Sequence, residues 1–213
     1  MDALGLLHPA AHDLLSRSDG VLIRAGAPER HEILSLLRRA GQLPADAVAD
    51  LVAWDPAALD EHAALLTRSA GQYRDLADQL DRPVAWEGPA AEAFASRAAT
   101  AATQCHELAG SASTLAAHLT GLAEWLRVVR RQLAQTLAAA LSSAEAVSLT
   151  VHGVDPLQRV AAAARVGTTV LREITAIRAE GERLAASWPS PVVAVSRIAP
   201  AGISSRIQVD GLA

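Results

Sequence analysis

The residues that could carry out chemistry are few, and their spacing assembles no reactive site. His8 and His12 stand four residues apart, the separation at which a helix brings two imidazoles to one zinc ion. Pro9 intervenes and no glutamate accompanies the pair, so the zinc-protease arrangement is missing. The other histidines are scattered, and surface or helix-end positions are their ordinary interpretation. We expect no metal site.

Cys105 is the single cysteine and therefore the one candidate thiol nucleophile. It falls in an apolar heptad row just before Leu108, where a thiol behaves as a small buried apolar group. Its neighbour His106 projects about 100° away on a helix, so the two side chains do not face each other. Asp60 and Glu61 project apart in the same way, and no glycine-rich phosphate loop occurs. The sequence predicts no enzyme activity, no catalytic residues and no cofactor.

Composition and charge narrow the class of protein further. Of the 213 residues, 51% are hydrophobic and 3% aromatic, and alanine, the strongest helix former, dominates. The formal charge of −4 argues against a nucleic-acid binder, which would present a basic face. All 19 basic residues are arginine, which indicates a GC-rich, actinobacterium-like coding sequence. No run reaches the roughly 18 apolar residues of a membrane span, so none is expected.

Two long apolar repeats occupy the middle of the chain and predict a helical hairpin over residues 55–142. Asp55-Pro56 is an N-cap and first-turn signal, Pro83 ends the first helix, and Pro89 opens a second that runs to about Leu141. Near its end, Arg127, Arg130 and Arg131 are interpreted as helix-end cations on a solvated face. The first repeat consists of Leu59, Leu66, Tyr73 and Leu80. The second runs through Phe94, Ala98, Ala101, Cys105, Leu108, Ala112, Leu115, Leu119, Leu122, Leu126, Val129 and Leu133.

Further helices are predicted on both sides of the hairpin. Residues 1–54 contain short helices that pack on the body, one ended by Ser18-Asp19-Gly20, one opened by Pro28-Glu29-Arg30 and one over about 44–52. Asp155-Pro156 opens a third long helix over 155–188, and residues 189–213 read as a flexible tail containing Pro and Ser. The predicted fold is all-α, an elongated hairpin with a Trp-x-Gly bend, extended by the additional helices into a four-helix-type bundle.

The bend carries Trp86-Glu87-Gly88, followed one turn into the next helix by Ala90-Ala91-Glu92-Ala93-Phe94. This combination resembles the WXG superfamily of type VII secretion substrates, over about residues 55–142. The resemblance implies a helix–turn–helix hairpin that usually pairs antiparallel into a four-helix bundle. It implies as partners a second WXG-like hairpin or a second copy of the chain, so that a dimer is possible, together with the secretion machinery. It also implies export without a cleavable signal peptide, or a cytoplasmic location before export.

The predicted partner-binding residues form a tip and a seam. Trp86 supplies a large flat surface, Gly88 lets the chain reverse without a side-chain clash, and Phe94 begins the seam under the bend. The alternative is that Trp86 only caps the core of its own hairpin. The seam residues predicted to meet a partner are Leu108, Leu115, Leu119, Leu122 and Leu126.

One element of the family pattern is missing from this chain. Members or their partners carry a Tyr- or His-x-x-x-Asp/Glu export signal after the second helix, whereas Tyr73 lies before the bend and has Ala77 four residues on. The histidines after the bend lead to no acidic residue at that spacing. Either a partner supplies the signal, or the chain diverges, or it is not exported. Two other functions stay open: the N-terminal delivery module of a toxin-type protein, and a cytoplasmic coiled-coil adaptor or chaperone.

Overall fold

A computed structural model describes residues 2–188, of which 84% are helical and none lies in a strand. The predicted all-α fold is confirmed for this part of the chain, and the predicted tail at 189–213 lies outside it. Within the same residues, no helix combines the length and the apolarity that crossing a bilayer requires. The helices are α1 (Ala3–Ala25), α2 (Ile33–Ala40), α3 (Pro44–Ala53), α4 (Pro56–Leu80), α5 (Pro89–Leu141), α6 (Ala144–Thr150) and α7 (Pro156–Ala186).

The chain divides into two compact units. The first unit comprises Met1–Leu65 and Ala116–Ser187, and the second unit is built on Leu66–Leu115. Helices α4 and α5 therefore contribute residues to both units. Each unit has its own buried cluster, and the clusters differ in the size of their side chains.

The first unit is a bundle around a core of large apolar side chains. Its fully buried residues come from α1, α2, α3, α7 and the last part of α5, and include Leu15, Ile33, Val48, Leu133 and Leu171. Within this unit, the apolar row of α5 after residue 116 is thus covered by helices of the same chain. The helices added on both sides of the hairpin pack in this bundle, as their apolar stripes predict.

Helix α7 packs closely in the first unit because Gly167 has no side chain. A Cβ at this position would lie 2.7 Å from Cδ1 of Ile33 and 3.3 Å from Cγ of Pro44. Both neighbours are fully buried, so neither has free space to move into. Gly167 is therefore a packing position within the apolar stripe of α7.

Helix α1 extends further than the sequence predicts. The sequence predicts an end at Ser18-Asp19-Gly20, but the helix continues to Ala25. The Ser18 hydroxyl donates to the Ala163 carbonyl oxygen at 3.0 Å, and Oδ2 of Asp19 accepts the backbone N–H of Ala45 at 3.0 Å. These polar groups join α1 to α7 and cap the start of α3, whose N-cap Leu43 provides no side-chain bond. The predicted helix end is wrong because the polar residues serve tertiary hydrogen bonds.

The segment Pro28-Glu29-Arg30 is also different from the prediction, because it forms a turn and α2 begins only at Ile33. The backbone N–H of His31 donates to the Pro28 carbonyl oxygen at 3.1 Å. Arg30 has a φ of 60°, which a right-handed helix excludes. The helical signal of the proline is therefore overridden by a turn.

The second unit is a pair of antiparallel helical segments packed through small residues. Its buried cluster consists of Ala77, Ala102 and Cys105, with Leu80 packed against it. Further back along α4, Nη2 of Arg74 donates to the Ser113 hydroxyl of α5 at 2.7 Å. A lower residue number in α4 thus pairs with a higher residue number in α5, so the two segments run antiparallel. Alanines at heptad spacing continue the buried rows: Ala70 and Ala77, Ala91 and Ala98, Ala102 and Ala109.

Candidate protein-binding surface

The candidate surface begins at the connection between α4 and α5 in the second unit, residues 81–88. The Gly88 carbonyl oxygen accepts the backbone N–H groups of Ala91 at 2.9 Å and Glu92 at 3.2 Å, which form the start of α5. Gly88 has a φ of 108°, in the region that favours glycine over residues with a side chain. Pro89 follows as the first helical residue, where its missing N–H costs no hydrogen bond.

Trp86 and Phe94 contact each other at the surface of the second unit. Their ring centroids are 6.1 Å apart and the ring planes are tilted by 49°, within the range of favourable aromatic pairs. Both residues are 48% exposed. Neither belongs to the buried cluster of Ala77, Ala102 and Cys105. The pair therefore presents two half-covered aromatic surfaces next to the connection.

A cavity of about 250 Å³ lies beside this aromatic pair. It is lined by the end of α4, by the connection and by the first turns of α5, and both Leu80 and Phe94 line it. These two residues therefore lie on the same side of the helix pair. Because residues at seven-residue spacing share a helix face, the same side can be followed along both helices.

Along this side, large apolar residues recur at heptad spacing. Tyr73 precedes Leu80 by seven residues, and Leu108 and Leu115 follow Phe94 by fourteen and twenty-one. Tyr73, Phe94 and Leu115 are exposed, while Leu80 and Leu108 are half-buried. These five residues, Tyr73, Leu80, Phe94, Leu108 and Leu115, are called the apolar flank.

The opposite side of the helix pair is polar. Tyr73 and Arg74 are neighbours and lie on either side of the buried alanine row that contains Ala70 and Ala77. The guanidinium of Arg74 reaches the Ser113 hydroxyl on this second side. The pair thus has a small-residue interior, one polar side and one apolar side.

The structure separates the residues that the sequence analysis assigned to partner binding. Trp86, Gly88, Phe94, Leu108 and Leu115 belong to the second unit. Leu119, Leu122 and Leu126 belong to the first unit, where Leu119 and Leu122 are half-buried. Leu126 is 4% exposed and packs in the core of its own chain.

Tyr73 and Leu80 are missing from the partner-binding residues that the sequence predicted. In the sequence they stand out only as members of the first apolar repeat, together with Leu59 and Leu66. The signal that separates the two roles is a parallel heptad of alanines at 63, 70 and 77. Where an alanine row lies beside a leucine row, the alanine row lets the helices approach closely and leaves the larger side chains at the edge.

The other candidate chemistry contributes nothing to this surface. Cys105 is a buried free thiol in the alanine row. Within residues 2–188, no group of three or more His, Cys, Asp or Glu side chains is arranged to hold a metal ion. The chain matches no protein-family model, no curated protein and no solved structure.

Proposed function

We propose that this protein acts by helix–helix contact with another protein, as a type VII secretion-associated protein of the WXG type. It is either an exported substrate or the partner of one. The observation that carries the proposal is the half-exposed Trp86–Phe94 pair at the end of an alanine-packed helix pair. The residues Trp86, Gly88 and Phe94 that support it are also those that carry the family resemblance.

The second unit buries small side chains and exposes large ones. Its buried cluster contains two alanines and a cysteine, whereas Tyr73, Phe94 and Leu115 are exposed. Covering a leucine or an aromatic side chain stabilises a complex by roughly 1.5–3 kcal/mol before the entropic costs of association. Burial of the apolar flank by a partner is therefore favourable.

The partner that fits the apolar flank is a second helical hairpin. The flank presents side chains from two antiparallel helical segments at seven-residue spacing, which is the spacing that an apolar helix stripe matches. A hairpin laid against it completes a four-helix arrangement. Trp86 and Phe94 at the end of the flank supply the aromatic anchor residues that dominate the binding energy of many interfaces.

Export of point variants tests the proposal. In a host with an active type VII secretion system, we expect the wild-type protein in the culture medium, and Trp86→Ala confined to the cell lysate. Leu157→Ala is the matched control, because Leu157 is an 80% exposed apolar residue of the first unit. It should be exported like the wild type, and far-UV circular dichroism should show equal helicity for all three proteins.

Two results would contradict the proposal. One is a wild-type protein that stays in the lysate of the secreting host, which would favour the adaptor function. The other is normal export of Trp86→Ala, which would show that Trp86 is not needed for export. Light scattering of the purified protein then identifies the kind of partner. If the protein is a dimer, the partner is a second copy of the chain. If it is a monomer, the partner is a different hairpin protein.

A further inference from the structure

The first unit contains a polar cavity of about 630 Å³. It is formed by the turn before α2, by the end of α5, by the start of α6 and by the middle of α7. Its volume is within the range of about 300–1,000 Å³ that is typical of small-molecule pockets. It shares no residue with the apolar flank, and its role does not depend on the function proposed above.

Three guanidinium groups border this cavity. Arg172 is paired with Glu32, with 2.6 Å between Nη2 and Oε2, and Arg165 is paired with Glu145, with 3.2 Å between Nη1 and Oε1. A guanidinium has five N–H donors, so both arginines retain donors for another oxygen ligand. Arg30 makes no ion pair with any residue in 2–188, and it leaves the cavity with an uncompensated positive charge.

Arg30 occupies a backbone conformation that glycine would adopt more easily. The turn at residues 28–31 is closed by the hydrogen bond from the His31 N–H to the Pro28 carbonyl oxygen. Arg30 is its third residue, and a positive φ at that position is typical of glycine or asparagine. Strained residues of this kind occur preferentially at binding and active sites. Here the strain brings a positively charged side chain to the cavity wall.

Thr168 places an unused hydrogen-bonding group at the same wall. It is 7% exposed, and its Oγ1 is buried without a hydrogen-bond partner. By contrast, the hydroxyls of Thr169 and Thr175 on the same helix donate to carbonyl oxygens of the preceding turn. A buried hydroxyl without a partner destabilises the folded chain, and an oxygen atom of a bound ligand would satisfy it once the Thr168 side chain rotates toward the cavity.

His31 adds a further donor. Its Nδ1 accepts the backbone N–H of Ile33 at 3.2 Å, so the proton of the neutral ring is on Nε2. The cavity lining therefore combines arginine, histidine and threonine donors with a net positive charge. Guanidinium groups bind phosphate and carboxylate oxygens through paired hydrogen bonds. We propose that this cavity binds a small molecule that carries a phosphate or a comparable multivalent oxyanion.

Thermal unfolding and calorimetric titration of the full chain test this proposal. The probes are inorganic phosphate, pyrophosphate and AMP, and sodium chloride at equal ionic strength is the control. We expect the phosphate-containing probes to raise the Tm in a saturable way and chloride to have no such effect. A stronger response to pyrophosphate or AMP than to phosphate would identify the ligand as a phosphorylated molecule. The reverse order would identify it as free phosphate. Equal responses to all the salts would overturn the proposal.

Two variants separate binding from a structural role. Arg30→Gly relieves the backbone strain and Thr168→Val removes the unpaired hydroxyl, so both should raise the Tm of the ligand-free protein. Both should also weaken binding of the best probe by about tenfold or more, because each removes a donor. Thr175→Val is the control, since its hydroxyl is already bonded within the helix and Thr175 does not line the cavity. Unchanged affinity in both variants would contradict the site.

Discussion

Asp19 is a carboxylate held inside the first unit at the start of α3. It is 5% exposed, its Oδ2 accepts the N–H of Ala45, and its Oδ1 is buried without a partner. Burial raises the pKa of Asp19 to about 6, and the negative charge of Asp46 adds to this effect. The bond from Ala45 and the nearby His12 act in the opposite direction. At neutral pH the folded protein therefore keeps a charge that its surroundings disfavour.

Replacement of Asp19 by asparagine should make stability less dependent on pH. Because the pKa is higher in the folded chain than the ordinary 3.8, the folded state binds more protons between about pH 4 and 6. The free energy of unfolding therefore falls as the pH rises through this window. Asp19→Asn keeps an acceptor for Ala45 and should raise that free energy by about 1–2 kcal/mol at pH 8, with little effect at pH 4. Urea unfolding at both pH values checks this, and a less stable variant at pH 8 would contradict it.

Arg130 shows why single charged residues could not be assigned from the sequence. The solvated face predicted for the cluster with Arg127 and Arg131 is wrong for Arg130, which is buried. Its Nε donates to Asp2 at 2.6 Å and holds the pKa of that carboxyl at about 2. Its Nη1 donates to three carbonyl oxygens at the end of α3, those of Leu51, Val52 and Trp54. These partners lie far away in sequence, so only the fold brings them together.

At the scale of helices, several boundaries were predicted correctly from local signals, although the proline signal at Pro28 was overridden by a turn. Helices α4 and α7 begin at the prolines of Asp55-Pro56 and Asp155-Pro156, and α5 ends at Leu141. These signals act on N–H groups within a few residues of the cap. The prediction failed at Ser18-Asp19-Gly20, whose side chains bond to α3 and α7. A tertiary partner of this kind is invisible in the local pattern.

Part of the candidate surface was predictable, because it depends on residues that are close together in the sequence. Trp86 and Phe94 are eight residues apart, so their proximity follows from the local connection and the first two turns of α5. Which heptad row faces inward was not predicted, because leucine and alanine rows are adjacent on both helices and the larger residues were assigned to the seam. The row that faces inward is set by the close approach of the two segments, and this approach depends on the residues of both helices.

Helix packing at Gly167 leads to a prediction with an internal control. Gly167→Ala should lower the free energy of unfolding by about 1–3 kcal/mol, because the new methyl group would overlap Ile33. Gly121→Ala in α5 should raise it by about 0.5–1 kcal/mol, since no atom lies within 4 Å of a Cβ there and alanine favours the helix. Chemical unfolding of both variants measures the two effects. A neutral Gly167→Ala would show that α7 is more loosely packed than described.

At the scale of the whole molecule, the two units differ in what they bury. The core of the first unit contains large side chains from six helices, whereas the second unit has a cluster of two alanines and a cysteine. Local stability follows the amount of apolar surface that is buried. The second unit should therefore open more readily than the first when no partner is bound.

Hydrogen exchange along α5 measures this difference within one helix. In the dilute purified protein, backbone amides in residues 89–115 should exchange at least about tenfold faster than those in 116–141. The difference should shrink when a partner covers the apolar flank. Uniform protection along the helix would contradict the expectation, because residues of the two units would then open together.

The position of Cys105 gives this protein a natural reporter. The chain has one thiol, and it is buried between α4 and α5 among alanines. A thiol-specific reagent should therefore react much faster with molecules in which the two helical segments have separated. The modification rate measures how often that separation occurs, and a bound hairpin would slow it. Occupancy of the surface can thus be followed by chemical labelling in a crude extract, without any engineered cysteine.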